Sequence, residues 1–565
     1  MGGGAGMVLV AALPAAAAAH GLSPVYQSPL PLVVYLAGAA AVVALSFLFV
    51  LARDMRAAPA ADPHVVAVPR ALRAALRGVG LAGWAWIMLQ GLAGGSSAGA
   101  VASLFLWVFG WVGIAVLSAL AGPVWEWLDP FATLHDILAW VLRRAGIRGW
   151  RPAAIPGRLR VWPAVAGLAF FVWLELVAVA GSATLTVVLL GYTILTLVLM
   201  AHFGRDAWRA EGETFTVWFR TLNLLAPYGT VAGGSPHGVD VARVVRRPFA
   251  AGLLDASWTT PRIVLVAIGT GSIIFDGLSQ TAAFATVFGN PSVGTQTLLL
   301  GAFLGAIVGG ALVVARTVSP GAIGAGLLPI AVGYLVAHYL TYLLIDGQRI
   351  LIALSDPLQR GDDLFGTAFF EPSGAWLPPG LVWTVQLVAV VGGHMLGAWA
   401  GHVTAQRDMD AERQPKPARD MRHRKVHANG TPRPRNVRAR EVPLAVMMVA
   451  LTTLTLWSLG QAIVVEAGDV AQRATAPPAG TQSVIGRTTA MSSAIAGSSA
   501  SAAATPVSIA VRHSTPSAIA VWRISAASRT APERGVGVLT TKRTSPPSIR
   551  ARIPASSPTG SEPSL

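Results

Sequence analysis

Ten apolar stretches punctuate the chain, each close to the roughly 17 to 25 helical residues needed to cross a hydrocarbon core. They run approximately from Leu30 to Ala52, Val79 to Gly95, Ala98 to Leu120, Trp162 to Gly181, Ala183 to Phe203, Ile263 to Phe288, Gln296 to Ala315, Ile323 to Ile345, Gly380 to Val403 and Pro443 to Val465. In lipid every backbone polar group needs an internal partner, so stretches of this length predict helices. The expected fold is all-α, a polytopic transmembrane helix bundle of about ten spans. Composition agrees: 12% of the 565 residues are charged, against about 25% in soluble proteins.

The formal net charge of +16 would suit a nucleic-acid binder, but the basic residues sit between apolar stretches and mark no soluble basic domain, so nucleic acid is not an expected partner. They gather after the first, third, fifth, seventh and ninth stretches, for example Arg143, Arg144, Arg148 and Arg151 after the third. The intervening loops before the C-terminal tail carry only Arg349 and Arg360 among several carboxylates. By the positive-inside rule, odd-numbered spans run inward across the cell membrane, and the N-terminus and C-terminal tail lie outside. The lipid bilayer is the expected partner. With no cysteine, disulfides, thiolate metal sites and a Cys nucleophile are excluded.

Residues 1–19 have the apolar core and Ala-x-Ala end of a signal peptide, although no basic residue precedes them. Cleavage there would leave His20 as a terminal amine-imidazole chelate for a metal such as Cu(II). Residues 20–466 form the expected membrane domain, with a basic cytoplasmic loop at 404–442. Residues 467–565, rich in Ser, Ala, Thr and Pro, read as a disordered tail. Asp129-Pro130 is a helix start, and Leu134, Ile137, Leu138, Val141 and Leu142 make an apolar stripe beyond it. Either an interfacial helix or one packed on the bundle fits that stripe. Glycines recur every four residues at Gly301, Gly305 and Gly309 and at Gly393, Gly397 and Gly401, predicting close helix packing. Pro329 predicts a kink.

A charged side chain at mid-membrane costs at least about 2.5 to 3.5 kcal/mol on insertion scales, so each needs a partner or a purpose. His338, Tyr342 and Asp346 recur at intervals of four and share a helix face; Asp276 and Gln280 do the same. With Glu175, Gln386 and His394 they suggest an outward-opening polar cavity floored by Asp276 and His394. Its chemistry has three readings. His338, His394 and Asp276 are types that bind a divalent metal and activate water. The same groups suit a proton- or cation-coupled permease or a metal-handling protein. They also suit interhelical fasteners without further function. No catalytic sequence signature decides between them.

Several motifs, in order, resemble actinobacterial polytopic membrane proteins of the fenitrothion hydrolase family. They are the leader end Ala19 to Leu22, Asp129 to Phe131, Phe275 to Gln280, Leu327 to Gln348, Ser355 to Thr367 and Gly392 to His402. The resemblance implies hydrolysis of an organophosphorus triester, with water displacing an aryl oxide at phosphorus. The resemblance brings no catalytic residues with it; from the polar groups above, Asp276 and His338 are the candidate base or metal ligands, His394 a further ligand and Asp346 an orienter. The chain departs from the family pattern at Asp362, where an aromatic residue is expected.

Overall fold

The computed structural model describes residues 64–95, 100–147, 151–234, 237–413 and 442–458, with isolated helical positions at 37, 38, 41 and 45. The expected signal segment, His20, most of the first span, most of the basic loop and the tail lie outside the described residues.

The main helices, in chain order, are α1 (Arg70–Ala93), α2 (Val101–Leu120), α3 (Trp125–Leu128), α4 (Pro130–Arg144), α5 (Trp162–Leu176), α6 (Ser182–Phe203), α7 (Arg205–Glu211), α8 (Thr214–Leu222), α9 (Thr260–Ser279), α10 (Val293–Thr317), α11 (Pro320–Ile345), α12 (Pro379–Arg413) and α13 (Val442–Ser458), with short helical segments at Ala251–Asp255, Ala282–Phe288 and Ile350–Ser355. Seven stretches among the described residues are long and apolar enough to cross a membrane: α2, α5 with the turn before it, α6, α9, α10, α11 with its extension to Ser355, and α12 up to Ala411. The expected second span differs. It is the end of α1, which begins nine residues earlier in an Arg-bearing half with Arg70, Arg73 and Arg77. The expected sixth span also stops early, at Ser279, and a separate short helix restarts at Ala282, where the Thr281 hydroxyl accepts from the Phe284 amide at 3.1 Å. The start of the expected basic loop is helical, because α12 continues through Gln406 to Arg413.

One departure from an all-α fold is a three-stranded antiparallel sheet of β1 (His64–Ala67), β2 (Tyr228–Ala232) and β3 (Val239–Arg246), with β3 central. His64 and Tyr228 both face Arg246, and the register shifts between Thr230 and Ala232. The β-branched run Val239, Val241, Val244 and Val245 favours the extended chain.

The core is built around α9 and α11, which are buried along most of their lengths. Helix α11 pairs most closely with α12, and glycine is the reason. A Cβ at Gly397 would lie 2.4 Å from the Gly326 carbonyl oxygen, one at Gly393 2.6 Å from the Pro329 oxygen, and one at Gly333 2.3 Å from the Ala389 oxygen. Only hydrogen fits between such backbones. Pro329 stays inside the continuous α11. The other ladder departs from expectation: Gly301, Gly305 and Gly309 of α10 are exposed, with nothing within 4 Å of an added Cβ.

Helix α2 contains a π-helical stretch, Leu104–Ile114, which presents Trp107 and Trp111 to the core. Trp111 stacks on Trp218 of α8 at 5.8 Å between ring centroids. Sequence places α7 and α8 in a basic loop, yet Trp218 is buried and meets Gly269 of α9. A segment that looks polar therefore folds back into the bundle.

Candidate functional site

Asp276 sits three residues before the end of α9. Its Oδ2 lies 2.8 Å from His338 Nε2 and accepts from the Tyr339 hydroxyl at 2.8 Å. Its Oδ1 accepts from Gln280 Nε2, also at 2.8 Å. Asp276 and His338 are 6% and 2% exposed. A carboxylate that accepts from a phenol and an amide calls for a third donor at the imidazole, so the pair is best satisfied when His338 carries its proton on Nε2. His338 Nδ1 is then an acceptor, and it is buried with no hydrogen-bond partner. Local packing holds the ring. Tyr334 stacks on His338 at 5.6 Å and bonds Ser458 of α13 at 2.8 Å, while Tyr339 meets the ring edge at 4.6 Å. A side chain at Gly277 would strike the Tyr334 hydroxyl.

Glu175, near the end of α5, is 8% exposed and lies within electrostatic reach of Asp276, Tyr339 and Tyr342. Tyr342, one turn beyond His338, is buried on the same side. The site is thus two carboxylates, an imidazole and phenols gathered where α5, α9 and α11 meet.

Three expected members stand apart. Asp346 does not orient His338: α11 ends at Ile345, and Asp346 turns into a 3-10 segment where it accepts from Arg349 Nε at 2.9 Å. Tyr339, off the predicted face, contacts Asp276 instead. His394 does not floor the site, because its Nδ1 lies 2.7 Å from the Val390 carbonyl of its own helix and its buried Nε2 has no partner. Gln386 fastens α12 to α11 through a 2.8 Å bond to the Ala337 carbonyl. Among the described residues no group of three or more His, Asp or Glu is placed to hold a metal ion, so the expected set of Asp276, His338 and His394 is not assembled as one.

The acidic loop after α11 is a structural joint. Asp356 accepts from the Arg360 and Gly361 amides at 2.8 and 2.9 Å, and Asp363 from the Ser355 hydroxyl at 2.7 Å. Trp86 and Gln90 of α1 donate to the Pro357 carbonyl. Its Leu364, Phe365 and Phe369 are exposed and do not fold onto the bundle.

A second buried polar network, absent from the sequence expectations, lies in the arginine-bearing segments. Arg209 of α7 donates to Asp129 at 2.8 Å and to Glu126 at 3.0 Å, and Arg220 of α8 also binds Glu126. Asp129 in turn caps α4 through the Phe131 and Ala132 amides at 2.9 and 3.0 Å, as its sequence context predicts. Burial raises the Glu126 carboxyl pKa, but Arg220 and Arg209 outweigh it and hold the group at about 2. Burial, then Asp129, pushes nearby Glu213 up. The apolar stripe of α4 points away from the protein, with Ile137, Leu138, Val141 and Leu142 exposed, while Asp136 on the same helix pairs with Arg77 and Arg205. That geometry favours the interfacial alternative for this helix.

Fold and site together define a mostly helical protein with seven helices, among the described residues, long and apolar enough to cross a membrane, and a buried acid-imidazole cluster. No family model, curated protein or solved structure matches the chain.

Proposed function

We propose that this is a proton-coupled permease of the cell membrane, crossing it ten times with both termini outside, in which Asp276 and His338 bind the proton and Glu175 is the second acidic group on its path. The observation that carries this reading is the free, buried Nδ1 of a histidine whose Nε2 is bound to a carboxylate. A proton taken up at Nδ1 makes an imidazolium that cancels the charge of Asp276, so the loaded pair is neutral overall, a cheaper species inside a membrane than a lone ion. No Lys or Arg forms an ion pair with Asp276 or Glu175 among the described residues.

Proteoliposomes containing a trapped pH-sensitive dye, with a potassium diffusion potential imposed, test this directly. Proton uptake is expected from the wild-type chain and should fall at least tenfold in Asp276→Asn and His338→Ala. Equal uptake by Asp276→Asn, or none by folded wild-type protein, would sink the reading.

The same free nitrogen supports a second reading, the hydrolase one. His338 held by Asp276 would accept a proton from water attacking a phosphotriester, while the displaced aryl oxide leaves phosphorus. Release of nitrophenol from an aryl phosphotriester, with and without a chelator, separates the two readings and tests for a divalent metal. Turnover lost in His338→Ala without proton uptake in the wild type would favour hydrolysis.

A further inference from the structure

We propose that the groove between α5 and α6 holds an acyl chain of an anionic phospholipid whose headgroup rests on Arg158 and Arg160. These helices follow one another in sequence yet barely touch. Between them lies a cavity of about 600 Å³, walled by Ala166, Phe170 and Leu174 on one side and Val188, Leu195 and Leu199 on the other. Both walls are helices long and apolar enough to cross a membrane, so the mouth opens on hydrocarbon rather than water. Phe170 and Leu195 at its rim are 50% and 54% exposed.

Length and charge identify the occupant. From Pro163 to Leu174 the groove follows α5 for about 16 Å at 1.5 Å per residue, close to half of a hydrocarbon core about 30 Å thick. One leaflet's chain fits that run. At the Pro163 end the 3-10 turn Gly157–Leu159 leads into α5, and Arg158 and Arg160 are exposed there with no ion-pair partner among the described residues. Trp162 beside them is 41% exposed, as aromatic residues at a headgroup boundary are. A phosphate diester at this level would meet two arginines while its chain entered the groove.

Native mass spectrometry of the full chain, released from nanodiscs holding equal phosphatidylglycerol and phosphatidylcholine, tests the site. The wild-type chain is expected to retain phosphatidylglycerol in preference, by about fivefold for each arginine. Ala166→Trp, which fills the groove, should lose both lipids; Leu195→Trp fills it from the other wall if the first variant does not fold. Joint Arg158→Gln and Arg160→Gln substitution should keep a lipid but lose the preference. Equal retention of both lipids by the wild type, unchanged retention in the folded Trp variants, or a lipid-free dimer covering the groove would each overturn the proposal.

Discussion

Asp276 and Arg209 are both buried charges, but they are stabilised by different means. Three side-chain donors surround Asp276; Arg209 instead sits between two carboxylates. Breaking a buried pair by removing one partner leaves an uncompensated charge and costs about 3 to 5 kcal/mol. Arg209→Met should therefore lower the thermal midpoint of the detergent-purified protein more than any substitution of an exposed arginine such as Arg158, and calorimetry or tryptophan fluorescence would read it. The same network sets a pH dependence. Glu126 is held at about 2 against an ordinary 4.5, so the folded state binds the proton later than the unfolded one. Its stabilisation is complete above pH 4.5 and is lost as pH falls from there through about 2. Melting at pH 3 and pH 6 should differ less in Glu126→Gln than in the wild type. At this scale sequence reveals little: Glu126 and Arg209 are 83 residues apart, and no local pattern announces their pairing. Spacing did align His338 with Tyr342. Asp346 keeps its place one turn beyond Tyr342, whose carbonyl its amide bonds, but spacing could not show that its carboxylate pairs with Arg349, and it missed Tyr339, which a helical step turns off the predicted face.

Among the elements, the two glycine ladders have the same sequence pattern and opposite surroundings. Periodicity shows that one side of a helix is small; it does not show whether another helix covers it. In α12 the pattern meets α11 backbone at Gly326 and Pro329. Gly397→Val should force the helices apart and destabilise by about 1 to 3 kcal/mol, the usual range for overpacking. Gly305→Ala in α10, with nothing near its added Cβ, should be neutral or stabilise by up to about 1 kcal/mol through helix propensity. Paired melting curves decide it: equal losses in both variants would mean that α10 is also covered. The long apolar helices were legible because twenty apolar residues admit few alternatives in lipid. The sheet was not, since β1 joins β3 from far along the chain and each strand is short. Helices α7 and α8 were hidden by their arginines, whose charges are neutralised by partners that composition alone does not display.

At the scale of the whole molecule, most arginine-bearing parts fall at one end of the long helices, with Arg349 and Arg360 at the other. Arg158 precedes α5, Arg205 follows α6 and Arg262 opens α9, while the Asp356 to Phe369 loop joins the opposite ends of α11 and α12. On the positive-inside expectation, the sheet, α4, α7 and α8 would lie in or against the cytoplasm. The absence of cysteine makes this testable without background. Phe369→Cys, at a position 91% exposed, should react with a membrane-impermeant maleimide in intact cells, whereas Arg158→Cys should react only after permeabilisation. The reverse pattern would invert the topology, and with it the leaflet from which the α5–α6 groove draws its lipid and the direction in which Asp276 and His338 load their proton. Because Asp276 lies near the end of α9 remote from Arg262, the expected labelling pattern would, on the permease reading proposed above, put proton entry nearer the outer surface.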